Sequence, residues 1–255
     1  MIKKILKYVK RFLILVVGIS SLYLVNLFLM KPFSIDHFLG KELVVDLIDS
    51  PEALTYIGIF DRFNWITRHN SRLTIPSDDD INEEIESLEK SIKTLYKYKD
   101  SRLTDVQKNT KKIAIFDYEN NLKELKEFPH HDYPLNQIGG IHLNTIEFLS
   151  DMHPVRNISE AEGFIKRVNL IKQVYEGTLK DLEKQADAGI YPPEFVYGHV
   201  IEQLNEFIGF TYEEHPLFTQ FIKKVNDLDI TNEEKASLEE AIKNSIDESV
   251  TPGFI

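Results

Sequence analysis

Eight histidines and no cysteine bound the metal and nucleophile chemistry open to this chain of 255 residues. Without thiolates, a transition-metal site would have to be built from imidazole and carboxylate. None of His37, His69, His130, His131, His142, His153, His199 and His215 is followed by Glu with a second His four residues on. The helix-borne zinc motif of that spacing is therefore absent. The nearest approach is His199 with Glu202, three apart and so on one helical face, opposite an apolar stripe; a solvated pair is expected. His130, His131 and Asp132 share a proline-rich stretch and could contact a ligand, although turn polarity before Pro134 explains them more simply. These five residues are the weak metal candidates. No catalytic or cofactor-binding residue is assigned.

Asp78, Asp80, Asn82 and Glu89 have the spacing of positions one, three, five and twelve of a calcium loop. Position six, where that loop turns sharply on glycine, is Glu83, and a helical stripe runs through the segment. An acidic first turn complementing the helix dipole accounts for the cluster. Gly-x-Ser-x-Gly elbows, phosphate-cradling glycine loops and dinucleotide fingerprints are all missing. Asn157-Ile158-Ser159 matches a glycosylation acceptor, but Ser159 is expected to cap a helix.

The elements that must position these groups read as helices throughout. Ile81, Ile85, Leu88, Ile92 and Leu95 draw one apolar stripe, and Ile115, Tyr118, Leu122 and Leu125 a second. Phe164, Val168, Ile171, Tyr175, Leu179 and Leu182 form a longer one, and Tyr197, Ile201, Leu204 and Ile208 a fourth. Capping spacings mark the starts: Ser77 with Asp80, Thr104 with Gln107, Ser159 with Glu162, Thr231 with Glu234. Gly189 marks a stop, and Pro192-Pro193 opens the next helix. Residues 127–140, with two prolines and Gly139-Gly140, form the clearest irregular connection. No alternating run long enough for a sheet occurs, so the fold class expected is all-α.

Charge divides the chain. The net charge is −11, yet residues 1–31 hold six basic residues and no acid, which leaves 24 basic against 41 acidic residues for the rest. Phe12 to Met30 are 19 consecutive uncharged residues, close to what a helix needs to cross a hydrocarbon core. Lys3, Lys4, Lys7, Lys10 and Arg11 precede that run, so the N-terminus is expected in the cytoplasm and the body outside the cytoplasmic membrane, single-pass. Leu27 to Met30 are bulky where a signal peptidase prefers small residues, which favours an uncleaved signal anchor. The domains expected are residues 1–31, a basic leader and anchor, and residues 32–255, a helical-bundle body. The acidic body would repel phosphate backbones, so no nucleic-acid partner is expected.

Several segments together resemble the bacterial domain of unknown function 885 family. They are Ser50-Pro51-Glu52-Ala53-Leu54-Thr55, then Tyr133 to Gln137 with Gly139-Gly140-Ile141, then Glu162 to Arg167. Ala188 to Val196, His215-Pro216-Leu217 and Val250 to Ile255 follow in order. The resemblance implies a helical fold akin to zinc metallopeptidases in exported or membrane-attached proteins about twice this long. In such relatives the metal motif begins with His-Glu and lies in a C-terminal half. This chain resembles the N-terminal half only, so no cofactor is expected in it and zinc only in full-length relatives.

The function expected from these readings is that of a membrane-anchored N-terminal portion of a metallopeptidase-like protein, not catalytic alone. Its partners would be the lipid bilayer through residues 12–30, a separate C-terminal half, and a peptide substrate once completed. Pro252 followed by Phe254-Ile255 suggests truncation, with the last two side chains expected to pack against something missing. The alternatives are a complete membrane-tethered binding or scaffold module, and an autonomous hydrolase built on His130, His131, Asp132, His199 and Glu202.

Overall fold

Unbroken apolar and capping signals give a chain of helices, and the computed structural model describes residues 2–255, leaving aside the side chains of residues 2–4 and 78–80. The helices are α1 (Ile2–Leu29), α2 (Ile35–Asp49), α3 (Pro51–Ile57), α4 (Asn64–Thr67), α5 (Asp78–Tyr96), α6 (Asp105–Glu127), and α7 (Ile141–Glu147). They continue as α8 (Ile158–Val168), α9 (Ile171–Asp187), α10 (Glu194–Gly209), α11 (Pro216–Asn226), α12 (Asn232–Ser245) and α13 (Thr251–Gly253). Among the described residues there is no strand, so the fold is all-α. The chain folds as two compact units: unit 1, residues 1–46 with 82–127, and unit 2, residues 47–81 with 128–255.

In unit 1, α1 carries the apolar run. Within its residues Ile5–Leu29 an 18-residue stretch has a mean hydropathy of 2.4 and is almost wholly exposed, so the helix is long and apolar enough to cross a membrane. Asn26, which merely looks tolerable in an apolar span, shapes the exit. Its Nδ2 donates to the Lys31 carbonyl at 3.0 Å and its Oδ1 accepts from the Phe33 N–H at 3.0 Å. Tyr98 holds the other side of the turn, its hydroxyl donating to the carbonyl of Pro32 at 2.7 Å. The chain thus leaves α1 through a bonded turn. Ile35, Phe38, Leu95 and Tyr98 form the small core beyond it.

The α5 stripe faces inward as its spacing predicts, from half-buried Ile81 to buried Leu95, and the α6 stripe also lies on the less exposed side of its helix. Helix α5 begins directly after Ser77 and runs through Asn82 and Glu89, which excludes a calcium loop there; the side chains of Asp78 and Asp80 lie outside the described residues. At α6 the capping box is real: Gln107 N–H donates to Thr104 Oγ1 at 3.2 Å, and Thr104 N–H to Gln107 Oε1 at 3.1 Å.

Unit 2 has a larger core, centred on Phe164, Leu149, Ile171, Leu217, Phe221 and Ile242, with Phe164 and Phe221 stacked at 4.7 Å. The long third stripe is two helices, because a turn at Asn169 and Leu170 separates α8 from α9 while Val168 and Ile171 stay buried. Beyond Tyr175 the inner face shifts to Val174 and Thr178, leaving Leu179 exposed. A Cβ on Gly177 would stand 2.6 Å from the Pro76 carbonyl oxygen, so only glycine lets α9 sit that close. The α8 cap is Asn157, whose Oδ1 accepts from the Glu160 N–H at 3.0 Å, and not Ser159. Thr231 and Glu234 form the expected capping box on α12.

The fourth stripe is corrected. On α10 the inward residues are Val196, Val200, Leu204 and Phe207, whereas Tyr197, Ile201 and Ile208 are 43%, 55% and 37% exposed. Both sets have helical spacing, and packing against the core selects the first. Phe254 also departs from expectation, because it is buried against Tyr175 at 5.0 Å and Phe207 at 5.3 Å of the same chain.

Candidate functional site

The sequence-derived metal candidates are not brought together. His131 turns back so that its Nδ1 lies 3.1 Å from the Pro129 carbonyl, with its ring edge-on to Phe128 at 5.7 Å. His130 adopts φ 65°, a left-handed conformation that suits a turn. Asp132 is engaged through its carbonyl, which accepts from Gln185 Nε2 at 2.6 Å. His199 and Glu202 are exposed on α10. Among the described residues no group of three or more His, Asp or Glu side chains is arranged to hold a metal ion.

What the fold does assemble is a polar network around Arg167, buried within the α8 face that carries Phe164 and Val168. Arg167 Nε donates to the Arg72 carbonyl at 2.8 Å. Its Nη2 donates to Thr55 Oγ1 at 2.8 Å and to the carbonyls of His69 at 2.9 Å and Pro51 at 3.2 Å. Its Nη1 lies 2.8 Å from His153 Nδ1, and because arginine can only donate, that nitrogen must be the acceptor. The His153 proton then sits on Nε2, donating to the Glu160 carbonyl at 3.0 Å. Phe148 covers the guanidinium at 4.9 Å.

The electrostatics follow from exclusion of water. Burial and the neighbouring guanidinium hold the His153 imidazole down at about 3, so it is neutral. Burial also lowers Arg167 to about 10, against the pull of Glu52 and Asp61. A second layer stands outside: Asp61 Oδ1 lies 3.2 Å from His69 Nε2, and Asp61 Oδ2 accepts from Arg156 at 2.6 Å. Arg156 also holds Glu160 at 2.8 Å. Burial, together with Arg167 and Arg72, holds the His69 pKa below its ordinary value despite Asp61. With its acceptors this well matched, Arg167 ties three separate segments to α8 and offers no reactive lone pair to solvent. The sequence carries a signal for it, since Arg167 stands three residues after Phe164 and four before Ile171, on the face that should be apolar.

Unit 2 also carries apolar concave surface. A cavity of about 230 Å³ is lined by Leu135, His142, Tyr175, Leu179, Leu182, Leu204 and Phe254, among others. His142 Nε2 lies 2.9 Å from Gln203 Oε1, and Gln203 in turn donates to the Gln137 carbonyl at 3.1 Å. This fixes the Pro134 to Gln137 segment against α10. Asn136 Oδ1 accepts from the Gly139 N–H at 2.8 Å, and a Cβ on Gly140 would meet backbone atoms of Asn136 at 2.7 Å. These residues make a turn. Leu204 joins the cavity to the exposed residues Tyr197, Ile201 and Ile208 on the same helix.

Comparison with known proteins adds the following. The family described as "Bacterial protein of unknown function (DUF885)" matches residues 51–254. No curated protein matches the chain. A crystal structure of a protein from Colwellia psychrerythraea, assigned as a lipoprotein, superposes with a TM-score of 0.67 at 16% identity. The match covers 82% of this chain and 38% of that one, and at this identity it shows a shared fold. The chain thus spans well under half of that neighbour's length.

Proposed function

Because the chain belongs to the DUF885 family of bacterial proteins, we propose that it is a membrane-tethered helical portion of a larger family fold. In this reading it is displayed outside the cytoplasmic membrane and contributes a wall to a cleft, without being catalytic alone. The observation that carries the tether is α1, whose apolar side chains are exposed along nearly its whole length behind a basic flank. Coverage of only 38% of the structural neighbour supports the reading as a portion, as do the exposed α10 residues beside the apolar cavity. Any zinc centre and peptide hydrolysis belong, in this reading, to a separate C-terminal half.

The absence of cysteine makes the topology directly testable. In spheroplasts a membrane-impermeant maleimide should label Asp229→Cys, in an exposed turn, and should reach Lys7→Cys only after permeabilisation. The intact mass of the membrane-bound chain should include residue 1. Labelling in the reverse pattern, or a membrane fraction that has lost residues 1–30, overturns the tether. A second reading, a membrane-tethered binding or scaffold module, is favoured by Phe254, which the chain's own Tyr175 and Phe207 cover. It requires cooperative unfolding with no excess binding of an apolar dye by the detergent-solubilised chain, and strong dye binding removes it.

A further inference from the structure

We propose that the groove at the foot of α1, between α2 and α5, binds the phosphate of one anionic phospholipid headgroup through Lys31, Lys90 and Lys97. The proposal rests on the reading of α1 as a retained transmembrane anchor. The groove has a volume of about 880 Å³, and its wall begins with Phe28, Leu29 and Met30, the last residues of the apolar run. Its mouth therefore lies where the helix leaves the hydrocarbon core, at headgroup depth.

Two contacts give the direction of the groove. Tyr98 bonds to Pro32 at the mouth, and Ser91 bonds to Glu42 further along, so α5 runs antiparallel to α2. Lys97 is then at the membrane end, and Glu86, eleven residues earlier on α5, lies about 16 Å beyond it at the usual helical rise. Charge is sorted along that length. Lys31, Lys97, Lys93, Lys90 and Lys41 line the nearer part, while Asp46 and Glu86 line the far end.

The carboxylates amid the lysines are already answered by protein cations. Glu42 pairs with Lys41, and Glu89 with Lys93 at 3.2 Å and Lys126 at 2.6 Å. Among the described residues, no carboxylate pairs with Lys31, Lys90 or Lys97; Lys31 instead lies over the Tyr98 ring at 4.3 Å. Three ammonium groups are thus left around one cavity, toward its mouth. The apolar wall of Phe28, Leu29 and Met30 at the mouth suits the first acyl carbons, and lysine is a flexible point charge suited to a phosphate. The bonded turn through Asn26 and Tyr98 keeps the lysines in place relative to α1.

The test is native mass spectrometry of the full chain in detergent, with the retained N-terminus verified by intact mass, titrated with phosphatidylglycerol or phosphatidylcholine. One phosphatidylglycerol should bind per chain in preference to phosphatidylcholine. Lys90→Glu/Lys97→Glu should weaken that binding about thirty-fold or more, given the usual worth of a basic residue beside an anionic lipid. Lys166→Glu/Lys180→Glu, an equal charge change on exposed positions of unit 2, should leave it unchanged. Excess inorganic phosphate should fail to displace the lipid; displacement would identify the site as one for free phosphate and overturn the lipid assignment. Equal retention of both lipids, or equal loss in both double variants, overturns the proposal while leaving the tether standing. Loss of residues 1–30 from the cellular protein would instead overturn the tether.

Discussion

Four buried residues, Ile35, Phe38, Leu95 and Tyr98, make the centre of unit 1, whereas unit 2 closes over a continuous cluster running from Leu73 to Phe254. The two also treat charge differently. In unit 1 the ion pairs of Glu89 and Asp100 stay at the surface, and the one histidine, His37, is exposed. In unit 2 Arg167, His69, His142, His153 and His215 are buried. Burying a guanidinium costs several kcal/mol unless its donors are matched, and only a unit with acceptors from three segments converging on one point can match them. A small core lacks those segments, and the lysines Lys31, Lys90 and Lys97 stay exposed and able to meet a ligand.

The sharpest way to break this contrast is Arg167→Met. It removes the charge but strands His153 Nδ1 and the carbonyls of Pro51, His69 and Arg72, and should destabilise unit 2 by about 3–5 kcal/mol. Hydrogen exchange on the detergent-solubilised chain should show faster opening in residues 128–255, with residues 82–127 unchanged. Uniform acceleration in both units would show that they do not respond separately.

Acidification is the next probe. A histidine held near 3 in the folded state but titrating near 6.5 when unfolded binds fewer protons folded, so stability is full above 6.5 and falls as pH drops below it. His153, with His215 at about 4, therefore makes unit 2 lose stability between pH 6.5 and about 3. Unit 1, lacking a buried histidine, should hold through pH 5, and its surface carboxylates Glu89 and Asp100 should lose their contribution only as pH falls through the ordinary carboxylate range and below it. Exchange rates measured at pH 7 and pH 5 check this, and matching losses in the two units would contradict it. Replacing His153 by Gln should flatten part of the pH response.

The smallest effects come from the two capping boxes. Thr104→Ala in unit 1 and Thr231→Ala in unit 2 remove the same bonds, and each should cost about 1 kcal/mol. Because unit 1 has the smaller core, the same loss should produce the larger rise in local opening there, read by exchange near the start of α6. An equal rise in both units would mean that core size does not set their margins.

The sequence determined the helical class, the apolar leader, two of the capping boxes and the stripes of α5 and α6, because each depends on residues within one or two turns of each other. It did not determine which of two overlapping stripes on α10 would be buried, since Tyr197-Ile201 and Val196-Val200 have the same period and differ only in what they meet. Asn157 displaced Ser159 as a cap for a similar reason, as both are competent and the path of the chain chose. The Arg167 network was visible only as one charge on an apolar face; its oxygen acceptors are 95 to 116 residues away in sequence, and only His153 is near, at 14. The lysine groove likewise combines residues from the end of α1, α2 and α5. Spacing along a chain specifies a helix and its faces, because those bonds are local. Which face is covered, which charge is matched and which is left free depend on segments that approach only in the folded structure, and there the tertiary structure decided.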